Sequence, residues 1–298
     1  MAKRKNGSIA IPFLLTFFIA IIAIGGVGVF AFNYIEKSKE VELSEPVGKT
    51  AGVAEYADSH TILFILDTPE SKCKSTFMLI RSIPKEKKIL CVGIPSNSIQ
   101  VINGVQYSIA EYYESGGGKY ASDFIAQQFG IDTPKYVIFD ENAFCKLSDI
   151  MGGVSYAVSV DIQGFDDTQK EQFLNGKQIV TLLTYPLFKD GEKQRASIVG
   201  SLMSAMINQS DGERLANSLD RNFNVLIDMV NTNITAVDYK EKKDAIQFML
   251  NYGTTISRFR MVTGTNTGNY FLMDESFPQE IKDEYFKDYQ SGKGEKDG

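Results

Sequence analysis

Three short, uninterrupted apolar runs between residues 61 and 95 constrain the fold of this chain more than any other feature. They lie in residues 61–66, 75–81 and 89–95, and polar or charged turns separate them. Runs of this length, bounded by turn signals, predict strands that are buried on both faces of a sheet. The charged turn at residues 84–88 makes the second and third strands a hairpin.

Small polar residues gather where these predicted strands begin or end. Asp67 closes the first strand, Ser75 and Thr76 open the second, and Ser96 and Asn97 follow the third. The ends of strands are where α/β sheets tend to place their binding sites. The sequence therefore predicts a candidate site at this edge of the sheet.

Strands and helices alternate through the remainder of the chain. Local signals predict a turn at the Asn-Gly pair 103–104 and a helix over residues 119–129 that ends at Gly130. They also predict a helix over residues 141–151 that Asp140 caps. The pattern continues with a half-exposed strand over residues 154–162 and a helix from about residue 194. Further helices are predicted over residues 213–230 and, at the end of the chain, over 277–289. Because the strands need cover on both faces, we predict a single three-layer α/β/α domain over residues 60–290.

The first 32 residues predict a membrane anchor. Residues 1–8 carry Lys3, Arg4 and Lys5, and residues 9–32 contain no charge, which is long enough to cross a bilayer. The aromatic residues at the C-terminal end of this segment favour an uncleaved signal anchor over a cleaved signal peptide. We expect a single-pass plasma-membrane protein with a cytoplasmic N-terminus. Its stalk (33–59), its domain and its frayed tail (291–298) would be extracytoplasmic.

Composition excludes several kinds of function. The net charge of −6 argues against a nucleic-acid partner, because such proteins usually present a basic face. One histidine, His60, and three scattered cysteines do not form a zinc pattern, and we assign no metal ligand. The sequence Gly116-Gly117-Gly118-Lys119 does not match a phosphate-binding loop, since Tyr occupies both flanking motif positions.

The order of several segments resembles the LytR-CpsA-Psr family. These segments are residues 62–67, 75–95, 113–117, 151–154, 174–178, the loop before Arg195, 231–234 and 263–270. The resemblance covers nearly all of residues 60–286. It implies a membrane-anchored extracytoplasmic enzyme of Gram-positive-type bacteria. Such enzymes move glycopolymers from a polyprenyl-pyrophosphate carrier onto peptidoglycan or protein, usually with magnesium.

The charged residues expected from that resemblance are mostly replaced. The Arg-Ser-Asp-Thr motif of the family becomes residues 73–76, with Ser75 at the acidic position, and Ile-Pro-Arg-Asp becomes residues 94–97. Ser96 and Asn97 thus occupy the positions of the clamping arginine and of the second acidic residue of that motif. Glu192 replaces one arginine of the late loop, whereas Arg195 remains. A pyrophosphate leaving group needs arginine clamps, and a hard cation needs carboxylates.

Two hypotheses follow from these replacements. The favoured one is a catalytically degenerate module that binds polyprenyl-phosphate lipid, glycopolymer or an envelope protein, with no cofactor. The alternative is an active phosphotransferase with a remodelled site, in which case Mg²⁺ is needed and Lys72, Lys189 and Lys193 supply charge. Arg195 is the candidate catalytic residue. The candidate substrate-binding residues are Asp67, Lys74, Ser75, Thr76, Arg81, Ser96 and Asn97.

Overall fold

A computed structural model describes residues 54–69, 72–166, 168–251 and 255–287. Short 3-10 helices cover Tyr56–Asp58 and Pro84–Glu86. The strands are β1 (His60–Leu66), β2 (Thr76–Ile83), β3 (Lys88–Ile94), β4 (Ile99–Ile102), β5 (Val105–Ser108), β6 (Lys135–Phe139), β7 (Val154–Ala157), β8 (Glu171–Leu174), β9 (Asn231–Thr232), β10 (Ser257–Phe259), β11 (Gly264–Thr267) and β12 (Tyr270–Met273). The helices are α1 (Ile109–Phe129), α2 (Glu141–Met151), α3 (Gly176–Leu183), α4 (Gly191–Gln209), α5 (Gly212–Asn217), α6 (Leu219–Ile227), α7 (Ala236–Leu250) and α8 (Ser276–Tyr285).

The central sheet has the strand order β10-β3-β2-β1-β6-β9. β2 is antiparallel to both β1 and β3, whereas β1 runs parallel to β6 and β3 parallel to β10. Every residue of β1 and β2 is buried, and β3 is buried from Ile89 onward. The predicted hairpin is therefore confirmed, with Phe77 paired to Ile94 and Ile83 to Lys88.

Two separate apolar cores lie on the two faces of this sheet. Ile62, Phe64 and Met78 belong to one core, which helices α2 to α7 complete. Leu63, Ile65 and Phe77 belong to the other core, with α1 and α8. Alternate side chains of a strand point to opposite faces, so the continuous apolar runs feed both cores at once. The mixed α/β architecture agrees with the prediction.

Local signals in the sequence correctly placed several turns and helix ends. The β4–β5 hairpin turns at Asn103 and Gly104, which both adopt positive φ, as a type I′ turn requires. The Asp140 side chain accepts a hydrogen bond from the Ala143 amide and caps α2. Gly130 ends α1 in the left-handed conformation. These features depend on neighbouring residues alone, which is why the sequence predicts them.

Two predicted elements differ from the structure, and one hairpin of the structure was not predicted. The strand predicted for residues 154–162 ends at Ala157, because the chain leaves the hairpin and returns as β8. The helix predicted for 213–230 is divided into α5 and α6 at Ser218. The β11–β12 hairpin was not predicted, because Thr265, Asn266 and Thr267 lack an apolar alternation.

The predicted anchor and the end of the tail lie outside the described residues. This applies to residues 1–8, 9–32, 33–53 and 288–298. Within the described part of the chain, no helix combines the length and apolar character that a membrane span requires.

Candidate functional site

The sheet topology brings most of the predicted site residues to one edge. β1, β3 and β6 end at the edge where β2 begins, because β2 is antiparallel to β1 and β3, and β6 is parallel to β1. Asp67, Ser75 and Ser96 therefore follow or precede neighbouring strands at that edge. They divide into two groups, one around Asp67 and one around Arg195.

The Asp67 group brings together the side chains of Asp67, Ser75 and Tyr113. The Ser75 hydroxyl donates to Asp67 Oδ1 over 3.0 Å, and the Asp67 amide donates to the Phe139 carbonyl over 2.8 Å. Tyr113 lies near the Asp67 carboxylate. Burial, together with this negative charge, raises the pKa of Tyr113 well above its usual range. Asp67 itself is exposed, so its carboxylate remains open to a ligand.

Tyr113 is a residue of this edge that the polar residues at the strand ends do not indicate. It lies on α1 and packs edge-on against Phe77 of β2, with ring centroids 5.6 Å apart. That contact fixes the ring beside the end of β1. Its place in the segment 113–117, which resembles the family, was the available signal.

The second group joins Ser96, Glu192 and Arg195 in one small network. Ser96 Oγ donates to Glu192 Oε2 over 2.6 Å, and Arg195 Nε donates to the same oxygen over 3.0 Å. Arg195 Nη2 also contacts that carboxylate and lies 3.5 Å from Ser96 Oγ. Arg195 is 2% exposed, and its Nη1 has no hydrogen-bond partner among the described residues. The buried guanidinium is thus neutralised by a carboxylate of the protein itself.

Close packing between α4 and β3 positions this network. A Cβ atom on Gly93 would lie 1.9 Å from the Ala196 carbonyl oxygen. A Cβ on Gly200 would lie 3.0 Å from the Gly93 amide nitrogen. The two glycines allow the helix backbone to approach the strand. The approach brings Arg195, on the second turn of α4, next to Ser96.

The lysines near the edge are also paired. Lys74 contacts Glu114 at 2.8 Å, and Lys72 contacts Glu141 at 2.8 Å. These lysine side chains are 46% and 42% exposed, so the pairs contribute little to stability, about 0–1 kcal/mol each. They do reduce the positive potential that an anionic ligand would meet.

Arg81 does not belong to the candidate site. It pairs with Thr61 and Leu90 across the sheet, near the end of β2 opposite to Thr76. Its Nε donates to the Tyr285 carbonyl over 3.3 Å, and its guanidinium lies 4.4 Å from the Phe286 ring centroid. The predicted role in substrate binding is corrected to a structural one, because this buried side chain holds the end of α8.

Thr76 and Asn97 lie at the edge but contact neither group through the hydrogen bonds described. Thr76 is buried as the first residue of β2, and its hydroxyl has no partner among the described residues. Asn97 Nδ2 donates to the Asn269 carbonyl over 2.8 Å. Asn97 thereby ties the edge to the β11–β12 hairpin.

The residues present do not fit a magnesium ion. Mg²⁺ is held by carboxylates and phosphate oxygens in near-octahedral geometry. Asp67 accepts a hydrogen bond from Ser75, and Asp140, which follows β6, caps α2 through the Ala143 amide, so this edge offers no pair of free carboxylates among the described residues. Across the described ranges, no group of three His, Cys, Asp or Glu side chains could hold a metal.

Solved structures share this fold at low sequence identity. A Eubacterium siraeum protein provisionally described as a transcription regulator matches with a TM-score of 0.69 and 21% identity, over 83% of this chain and 98% of that one. Bacillus subtilis TagV matches with a TM-score of 0.60 and 19% identity, over 77% and 96%. A structure of TagT bound to LI-WTA matches with a TM-score of 0.60 and 17% identity, over 84% and 99%.

Sequence comparison identifies the family directly. A search of curated protein sequences gave no significant match. The LytR_cpsA_psr family profile matches residues 31–287, which is most of the chain. The protein therefore belongs to the LytR_cpsA_psr family.

Proposed function

We propose that this protein is a membrane-anchored cell-envelope module that binds a lipid-linked glycopolymer without transferring it. Family membership and the structural similarity to TagT, which has been solved with LI-WTA bound, support a role in cell-wall glycopolymer metabolism. The uncharged segment 9–32 supports an anchor with the domain outside the cell. An envelope protein that presents or accepts the glycopolymer is a further partner.

The pairing of Arg195 with Glu192 is the observation that carries the proposal. A pyrophosphate leaving group is stabilised by cationic donors that are aimed at its oxygens. Here the Nε and Nη2 donors of Arg195 already face a carboxylate, and a neutral Ser96 stands beside them. Loss of one preorganised donor lowers catalytic rates by a factor on the order of 10² to 10³. Because several such donors are paired or replaced here, we infer that the protein binds the glycopolymer and does not transfer it.

The alternative is a transferase with a remodelled site. Two observations favour it: the exposed carboxylate of Asp67, and Arg195 Nη1, which has no hydrogen-bond partner in the described part of the chain. In that mechanism Asp67 would accept the proton of an acceptor hydroxyl as its oxygen bonds to the glycan-bearing phosphorus. The pyrophosphate P–O bond would break, and Arg195 would contact the departing polyprenyl phosphate after Glu192 moved. This alternative would also require a magnesium ion, which the described residues do not fit.

One experiment separates the two functions. The full-length protein, purified in detergent micelles, is incubated with a polyprenyl-pyrophosphate-linked glycan with and without Mg²⁺. We expect polyprenyl lipid bound to the protein by mass spectrometry and no release of polyprenyl phosphate above background. Magnesium-dependent release that disappears in Arg195→Ala would establish the transferase instead.

A further inference from the structure

A row of three tyrosines on the surface of α1 and the preceding strand has no role in the proposed chemistry. The Tyr107 and Tyr112 ring centroids are 5.6 Å apart, and those of Tyr112 and Tyr120 are 4.9 Å apart. We call these three residues the tyrosine cluster. Tyr120 is 40% exposed, and the other two rings are half-buried. Exposed aromatic surface of this kind marks an interaction site more often than scattered single residues do.

The triple glycine explains how the tyrosine cluster forms. Eight residues of a straight helix rise about 12 Å, which would separate Tyr112 from Tyr120. Gly117 breaks α1 with φ of 64° and ψ of −155°, a conformation that other residues avoid. A Cβ on Gly116 would lie 2.1 Å from the Tyr120 ring, so the missing side chain makes room for that ring. The glycines therefore fold two tyrosines together instead of binding phosphate.

The chemistry around the tyrosine cluster favours a neutral sugar. Tyrosine offers an apolar face and a polar hydroxyl edge, which matches the C–H face and hydroxyl rim of a pyranose ring. On the same helix Glu114 is paired with Lys74 and Lys119 with Asp123, whereas Glu111 is exposed and has no ion pair among the described residues. The cluster therefore has no surplus of positive charge nearby that would favour an anionic ligand such as a phosphate or an acidic lipid surface.

The tyrosine cluster begins one residue from the candidate site along α1. Tyr113, which follows Tyr112, packs against Phe77 with ring centroids 5.6 Å apart, and Phe77 lies two residues after Ser75, the hydrogen-bond donor to Asp67. A glycan whose first residue lies at Asp67 could extend along α1 over the cluster. We propose that Tyr107, Tyr112 and Tyr120 form a carbohydrate-binding subsite for the neutral sugar portion of the glycopolymer, an inference that rests on the proposed function.

Binding of a neutral oligosaccharide tests the subsite. The probe is an N-acetylglucosamine trimer, titrated into full-length protein in micelles and followed by calorimetry and tyrosine fluorescence. The chain contains no tryptophan, so its emission reports on tyrosines. We expect Tyr120→Ala to weaken binding roughly tenfold, and Tyr120→Phe to stay within about twofold of wild type because it keeps the stacking face.

Tyr270→Ala is the matched control, because Tyr270 is a surface tyrosine with a similar exposure of 38%. It should leave trimer binding unchanged. Absence of trimer binding by the wild type, or equal losses in Tyr120→Ala and Tyr270→Ala, would overturn the subsite. Polyprenyl lipid measured in the same preparations reports on the proposed function separately. A protein that keeps its lipid but binds no trimer removes the subsite alone.

Discussion

Among single residues, Glu192 has the largest effect on what the candidate site can bind. Its Oε2 accepts hydrogen bonds from both Ser96 and Arg195, and the arginine is 2% exposed. A buried charge whose partner is removed is costly, by about 3–5 kcal/mol. The pair therefore satisfies the guanidinium internally, and an external anion must displace a carboxylate that is tethered three residues away on α4.

His60 gives a residue-scale prediction about pH. Burial above all, with smaller contributions from Arg81 and Lys242 and against the opposing effect of the Asp58 carbonyl, lowers the pKa of His60 from 6.5 to about 3. The unfolded chain takes up this proton below pH 6.5 and the folded chain does not, so stability falls as pH falls from 6.5 toward 3.

Between pH 6.5 and about pH 5, the free energy of unfolding should fall with a slope that approaches about 1.4 kcal/mol per pH unit. This window lies above the pH range in which carboxylates titrate. Urea unfolding at several pH values measures it. His60 is the one histidine of the chain, so His60→Gln should flatten the profile in this window. An equally steep profile in His60→Gln would show that another group titrates there.

At the scale of elements, α8 is held against the sheet by Arg81. The guanidinium donates to the Tyr285 carbonyl, and it covers the Phe286 ring. We expect Arg81→Met to destabilise the fold by about 2 kcal/mol while lipid binding persists, because a cation–π contact and buried hydrogen bonds are lost. Denaturant unfolding measures the first effect and mass spectrometry the second.

Arg260 provides the matched control for α8. It pairs with Glu280 and Glu284 of the same helix, but its side chain is 33% exposed. Arg260→Met should cost less than about 1 kcal/mol, as exposed ion pairs do. Unchanged stability with lost lipid in Arg81→Met would instead return Arg81 to the ligand site.

At the scale of the whole molecule, local sequence patterns predicted the fold. The pairing of charged side chains at the candidate site depended instead on contacts between distant segments. Continuous apolar runs predicted β1, β2 and β3, and Asp140 predicted the start of α2. Asp67 and Ser75 meet because consecutive strands pair.

The position of Arg81 could have been found from strand geometry alone. It lies six residues after Ser75, and a strand rises about 3.3 Å per residue, so the two must be near opposite ends of β2. The Glu192–Arg195 pair has the spacing of helix neighbours. The sequence did not show that Gly93 would bring this helix face against Ser96. The tyrosine cluster depends on a backbone break at Gly117, which the sequence indicates only as a turn.

Titration of inorganic pyrophosphate into Glu192→Gln tests most directly whether Glu192 blocks the anion site. Glutamine keeps the size of the side chain but removes the charge, so Arg195 is freed for an external anion. We expect the variant to bind pyrophosphate about tenfold more tightly than wild type, by calorimetry of the full-length protein. Glu141→Gln, which removes the exposed partner of Lys72, should change affinity much less. Equal pyrophosphate affinity in wild type and Glu192→Gln would contradict the account.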